Sequence, residues 1–291
     1  MNVRSPIVAG QFYPASRQSC AAEIERCLEE ESLPAELPDP IVAGIVPHAG
    51  WTFSGSLAAM VFGAVKHRCE NVDTFVIFGA AHTYVRGLPA LWDKGSWQSP
   101  LGSVAVDEEL ALSILKSGTA ESNFAAHTSE HSIEVQVPFI QQLFPQAKIL
   151  PIVVAPDENA LSLGRTVGDI VSTSDNTSII CIGSTDLTHY GPRYGFAPMG
   201  VGEEALKWAS DTNDRQFIDT ALKLDPAELL AAAVRNCSAC GAGAAAAAAF
   251  TALKQGKTEG RLLAHTNSSE IMLRKMGATS AESVGYAAIV Y

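Results

Sequence analysis

The chain alternates short apolar runs with longer amphipathic ones, and that alternation restricts its fold more than any other feature. Strand-like runs fall at residues 41–46, 74–79, 148–154, 178–183 and 284–290. Helix-like runs fall at 54–67, 107–117, 134–144, 158–173, 203–219, 226–235 and 241–254. Strands that are apolar throughout belong to a sheet covered on both faces, and intervening helices supply the covers. The pattern predicts an α/β fold, three layers with a mixed central sheet flanked by helices. Three prolines lie between Leu33 and Pro40, too short a stretch for a domain boundary. Residues 1–291 therefore read as one domain.

Several segments carry more detail. Ser19 to Glu31 has helical spacing and many glutamates, which predicts a solvated surface helix. Leu88 to Val106 holds Trp92 and Trp97 among turn formers and reads as an antiparallel excursion beside a cleft. A helix starting near Glu134 tolerates Pro138 in its first turn, and Ile133, Val137, Ile140 and Phe144 give it a buried stripe. Gly241 to Ala249 is almost all alanine, a strong helix former with side chains small enough for close packing. It predicts a buried helix that starts just after Cys240.

A net charge of −11 argues against a nucleic-acid partner, which needs a basic patch, and against an anionic membrane surface. No apolar run reaches the ~20 residues of a membrane span. Met1-Asn2-Val3-Arg4-Ser5-Pro6 lacks the pattern of a secretory leader, so a cytoplasmic protein is expected. Six cysteines are too few for a disulfide scaffold. Cys20, Cys27, Cys69 and Cys181 lie in or beside apolar runs as inert thiols. Cys237 and Cys240 form one Cys-x-x-Cys without the second pair of a zinc ribbon.

Seven histidines are present. His67 and His265 are read as solvated. His48, in Pro47-His48-Ala49-Gly50-Trp51, and His82, in Gly79-Ala80-Ala81-His82, share a setting: an apolar strand, then small residues, then imidazole. The ends of strands are where open α/β sheets gather ligand chemistry. Cys240, at a helix start, is expected to have a lowered pKa and to be thiolate. Two imidazoles and a thiolate, His48, His82 and Cys240, suit iron, copper or zinc. In Ser184-Thr185-Asp186-Leu187-Thr188-His189, Asp186 and His189 make a proton-transfer pair or support the ligands. Glu130, His131 and Glu134 could do similar work or complement a helix start. The spacing is not that of a zincin protease, and no phosphate-binding or dinucleotide glycine motif occurs.

Together with Glu130-His131-Ser132-Ile133-Glu134, Cys240-Gly241 and Ser283-Val284-Gly285-Tyr286, these motifs resemble the Memo family, whose prokaryotic members are called AmmeMemoRadiSam system protein B. The resemblance spans the chain from about Gly10 to its end. It implies a domain similar to class III non-haem iron dioxygenases of the extradiol type. It implies metal ligation by His48, His82 and Cys240, the cysteine standing where the dioxygenases have glutamate. It places Asp186 and His189 in the cleft and implies iron or copper redox chemistry. A radical-SAM protein and an AMMECR1-like protein are the partners it implies. The chain departs from the family at Thr83, where some members carry a second histidine. It departs again at the alanines after Gly241, and phosphopeptide binding is not carried over. Three functions follow: a metal-dependent redox enzyme, an adaptor holding a partner's peptide or a small molecule in the cleft, and a zinc-dependent hydrolase.

Overall fold

The computed structural model describes residues 2–83, 87–174 and 177–291. Its strands are β1 (Val3–Arg4), β2 (Ala43–Val46), β3 (Thr74–Ala80), β4 (Ala90–Leu91), β5 (Ser96–Ser99), β6 (Gly102–Ala105), β7 (Glu121–Ser122), β8 (Lys148–Val154), β9 (Ile179–Ser184), β10 (His189–Tyr190), β11 (Arg261–Asn267) and β12 (Ser283–Val290). Its α-helices are α1 (Arg17–Glu30), α2 (Trp51–Arg68), α3 (Glu108–Ser117), α4 (Val137–Leu143), α5 (Glu158–Ser172), α6 (Glu203–Trp208), α7 (Arg215–Leu222), α8 (Pro226–Asn236), α9 (Ala242–Lys254) and α10 (Ser268–Met276).

The four parallel strands β2, β9, β3 and β8 lie side by side in that order. Apart from Lys148 every residue in them is buried, which is why each appears in the sequence as an unbroken apolar run. β12 joins β2 and β4 joins β8, both antiparallel, so the sheet is mixed. Helices cover its two faces. α2 packs on β2 and β12 with α1, α4 and α10 around it, and α9 packs on β2, β3 and β9 beside α5 and α8. Ile182 and Gly183 show the alternation. Ile182 shares a face with Gly44, which abuts Val61 of α2, whereas the next residue, Gly183, abuts Ala244 and Ala245 of α9. This is the three-layer α/β arrangement the sequence predicts.

The alanine helix is α9. Residues Ala244 to Ala249 are completely buried. A Cβ added to Gly183 would lie 2.7 Å from the Ala244 carbonyl, and one added to Gly243 would lie 2.2 Å from the Ala155 carbonyl. The helix thus rides closer to the sheet than larger side chains would allow.

Two expectations are corrected and a third is refined. Residues 203–219 do not form one helix. A π-helical turn, Ala209–Asp214, separates α6 from α7 and turns Asn213 and Asp214 inward. Buried Asp214 accepts from the Thr188 N–H at 2.9 Å and lies 3.2 Å from His265 Nε2. His265 is therefore a half-buried partner in β11, not a solvated residue. Leu88 to Val106 is split: β4 joins the main sheet, while β5 and β6 pair antiparallel and combine with β1 in a second, three-stranded sheet. Among the described residues no helix is long and apolar enough to cross a membrane.

Candidate metal centre

The carboxyl ends of the adjacent strands β2, β9 and β3 open onto one cleft, the position where α/β sheets place ligands. His48 lies two residues past β2, Asp186 two past β9 and His82 two past β3. The segment 130–136 crosses these ends, and the turn before α9 brings in Cys240.

Three imidazoles meet there. His48, His82 and His131 each offer a nitrogen, and these atoms lie within 4.8 Å of one another. The rings of His82 and His131 stack with centroids 4.7 Å apart, and His48 stands nearly perpendicular to both. These three residues could hold a metal ion. His131, placed by sequence reasoning with the proton-transfer groups, thus stands among the donors.

Glu130 orients one of them. Its carboxylate lies 3.0 Å from His82 Nδ1 and accepts from the His82 N–H at 3.1 Å and the Ser132 N–H at 2.7 Å. A carboxylate on one ring nitrogen leaves the other free for a metal. Burial alone would raise Glu130, yet the His82 ring and the Ser132 bonds bring it down to about 2. Burial likewise works against the His82 cation, but the Glu130 bond and charge prevail and raise His82. His48 is pushed well down by burial and by the neighbouring His82 and His131, and His131 is lowered for similar reasons.

Cys240 Sγ lies 3.2 Å from His48 Nε2, although the sulfur is not among the three mutually close donors. Metal–nitrogen and metal–sulfur bonds of about 2.1 and 2.3 Å place two donors of one ion about 3.1–3.6 Å apart, so the pair has a suitable spacing. The thiolate expected from a helix start is corrected. Burial and the Asp186 carboxylate push the Cys240 thiol up. The two nearest N–H groups are also engaged elsewhere: that of Cys240 donates to the Asp186 carbonyl at 3.2 Å and that of Gly241 to Thr185 Oγ1 at 2.9 Å.

Asp186 and His189 flank this group. Asp186 Oδ1 accepts from the His48 N–H at 2.7 Å and the Ala49 N–H at 3.2 Å, so it fixes the loop that carries His48. Burial raises Asp186 against the opposing pull of His189 and those two N–H groups. His189 Nδ1 lies 3.0 Å from the Leu187 carbonyl, which can only accept, so in the neutral ring the hydrogen sits on Nδ1 and the lone pair on Nε2. Glu134 has a different setting. It is buried, and its oxygens accept from Arg4 Nη1 at 2.7 Å, the Ile7 and Val8 N–H groups at 2.9 Å and Tyr13 Oη at 3.0 Å. With four donors engaged it clamps the amino-terminal segment, whose Phe12 ring meets His131 edge-on at 4.9 Å.

The fold and the imidazole trio define a class: a three-layer α/β protein with a metal-competent cleft at the carboxyl ends of its parallel strands. A family model described as Memo-like protein matches residues 4–290. The chain is 38% identical to a MEMO1 family protein of Methanosarcina acetivorans over 100% of this chain and 99% of that one. It is 35% identical to one of Methanopyrus kandleri over 99% and 98% respectively, and 37% identical to one of Thermococcus kodakarensis over 99% of each. The chain belongs to the Memo family.

Proposed function

We propose that the protein is a metal-dependent redox enzyme whose ion, iron or copper, is held by His48, His82 and His131 with Cys240 as a further donor. The observation that carries this is the convergence of three imidazoles beside a thiol, one of them oriented by a buried carboxylate. Imidazole and thiolate together favour iron, copper or zinc over magnesium or calcium, and iron or copper supplies one-electron chemistry when bound. A raised thiol is compatible with this role, because a bound cation would lower its pKa and release its proton to solvent. His189 Nε2 can take a proton from a substrate in the cleft, and Asp186 beside it can hold or share that proton. Aromatic rings border the group, Phe12 edge-on to His131 at 4.9 Å and Tyr194 edge-on to His189 at 5.2 Å. A radical-SAM protein and an AMMECR1-like protein are proposed as partners on the family resemblance.

Anaerobic purification followed by elemental analysis tests the reading. The wild type is expected to retain about one equivalent of iron or copper. His48→Ala, His82→Ala and His131→Ala should lose it, and Cys240→Ser should hold it at least tenfold more weakly. Folded His189→Ala should keep its metal and lose redox turnover. Equal metal loss in His189→Ala and His48→Ala would overturn the ligand set. Retained zinc with hydrolysis would favour the hydrolase, and an ion-free protein that still binds a peptide would favour the adaptor.

A further inference from the structure

Ser184 ends β9 and is fully buried, and its hydroxyl oxygen meets three partners. It lies 2.7 Å from the Ser132 carbonyl, 3.2 Å from Gln136 Nε2 and 3.2 Å from His48 Nδ1. A carbonyl oxygen only accepts, so the single hydroxyl hydrogen goes to Ser132, the shortest of the three contacts. The Gln136 amide competes for none of it. Its nitrogen also donates to the Pro47 carbonyl at 2.8 Å, which fixes the amide with nitrogen towards Ser184. Towards His48 the hydroxyl has only a lone pair left, so the hydrogen between them belongs to Nδ1.

We propose that Ser184 is a positioning residue that sets the tautomer of His48, holding its hydrogen on Nδ1 and leaving the Nε2 lone pair towards Cys240 and the other imidazoles. His82 reaches the same form through the charged Glu130. The two ligands are thus prepared by different devices, one neutral and one anionic. A hydrogen bond to the second ring nitrogen of a ligating histidine fixes its orientation, and its loss lowers metal affinity by about 10–100-fold. That consequence rests on the metal-site reading, whereas the tautomer itself does not.

The test reads the tautomer in metal-free protein labelled with 15N-histidine, with the His48 signals assigned by their loss in His48→Gln. The wild type is expected to show hydrogen on Nδ1 and a bare Nε2. Ser184→Ala should move hydrogen to Nε2, with Cys240 as its new partner, and should weaken zinc binding about 10–100-fold in competition with a chromophoric chelator. A wild-type spectrum with hydrogen on Nε2 overturns the proposal, and so does an unchanged His48 spectrum in folded Ser184→Ala. If Ser184→Ala does not fold, the wild-type spectrum decides alone. If the tautomer shifts as expected but neither protein binds zinc, iron or copper, the metal reading fails and the assignment to Ser184 stands.

Discussion

Glu130 touches the His82 ring, the His82 N–H and the Ser132 N–H, and its negative charge, by raising His82, shapes how the site responds to pH. Its folded pKa, about 2, lies below the ordinary value of 4.5. Its contribution is therefore present above pH 4.5 and is lost as the pH falls towards 2. The raised His82 has the opposite sign: its contribution is present below pH 6.5 and is lost as the pH rises through the folded value. The pair stabilises the metal-free protein most between those limits, by up to ~3 kcal/mol. A metal ion needs the bare imidazole, so zinc affinity should fall as the pH drops from about 7 to 5, just as the ion pair strengthens. Glu130→Gln should weaken zinc binding by about 10–100-fold and flatten this pH dependence. Chelator competition across that range checks both, and an unchanged slope in the variant would show that Glu130 does not govern His82.

At the scale of elements, α9 has the least freedom. The Gly243 Cα faces the Ala155 carbonyl, so Gly243→Ala forces backbone apart rather than a flexible side chain. We expect a loss of about 1–3 kcal/mol, read as a lower urea midpoint with an unchanged slope. Stability equal to the wild type would mean that the helix has slack. The burial of α9 was legible in its alanines, as the buried strands were in their unbroken apolar runs. His48 and His82 were legible because each follows such a strand across small residues. What escaped was whatever depends on distant partners. Glu134 sits in a recognisable motif, yet its occupation by Arg4 joins residues 130 apart. The state of Cys240 was misjudged because neither its burial nor the nearby Asp186 charge is written in local sequence. The break at Ala209–Asp214 leaves no proline or glycine to mark it, and two-residue strands such as β1 are too short for any periodicity.

At the scale of the molecule, one continuous hydrophobic core links α2, the sheet and α9. A core shared in this way should unfold in a single step. Denaturation followed by tryptophan fluorescence and by far-ultraviolet circular dichroism should give coincident transitions. Limited proteolysis yielding two fragments, each cooperatively folded, would contradict the one-domain reading. The site draws on strand ends scattered along the chain, with His48 Nε2 and Cys240 Sγ separated by 192 positions. During synthesis the amino-terminal half emerges with its imidazoles but without the thiol, and the row of strand ends that aligns them needs β9, which lies between β2 and β3 and follows both in the chain. An ion held by these groups would therefore not template the fold as zinc templates a finger. It would arrive at a finished protein, and its loading could be withheld, delivered or reversed without dismantling the chain that receives it.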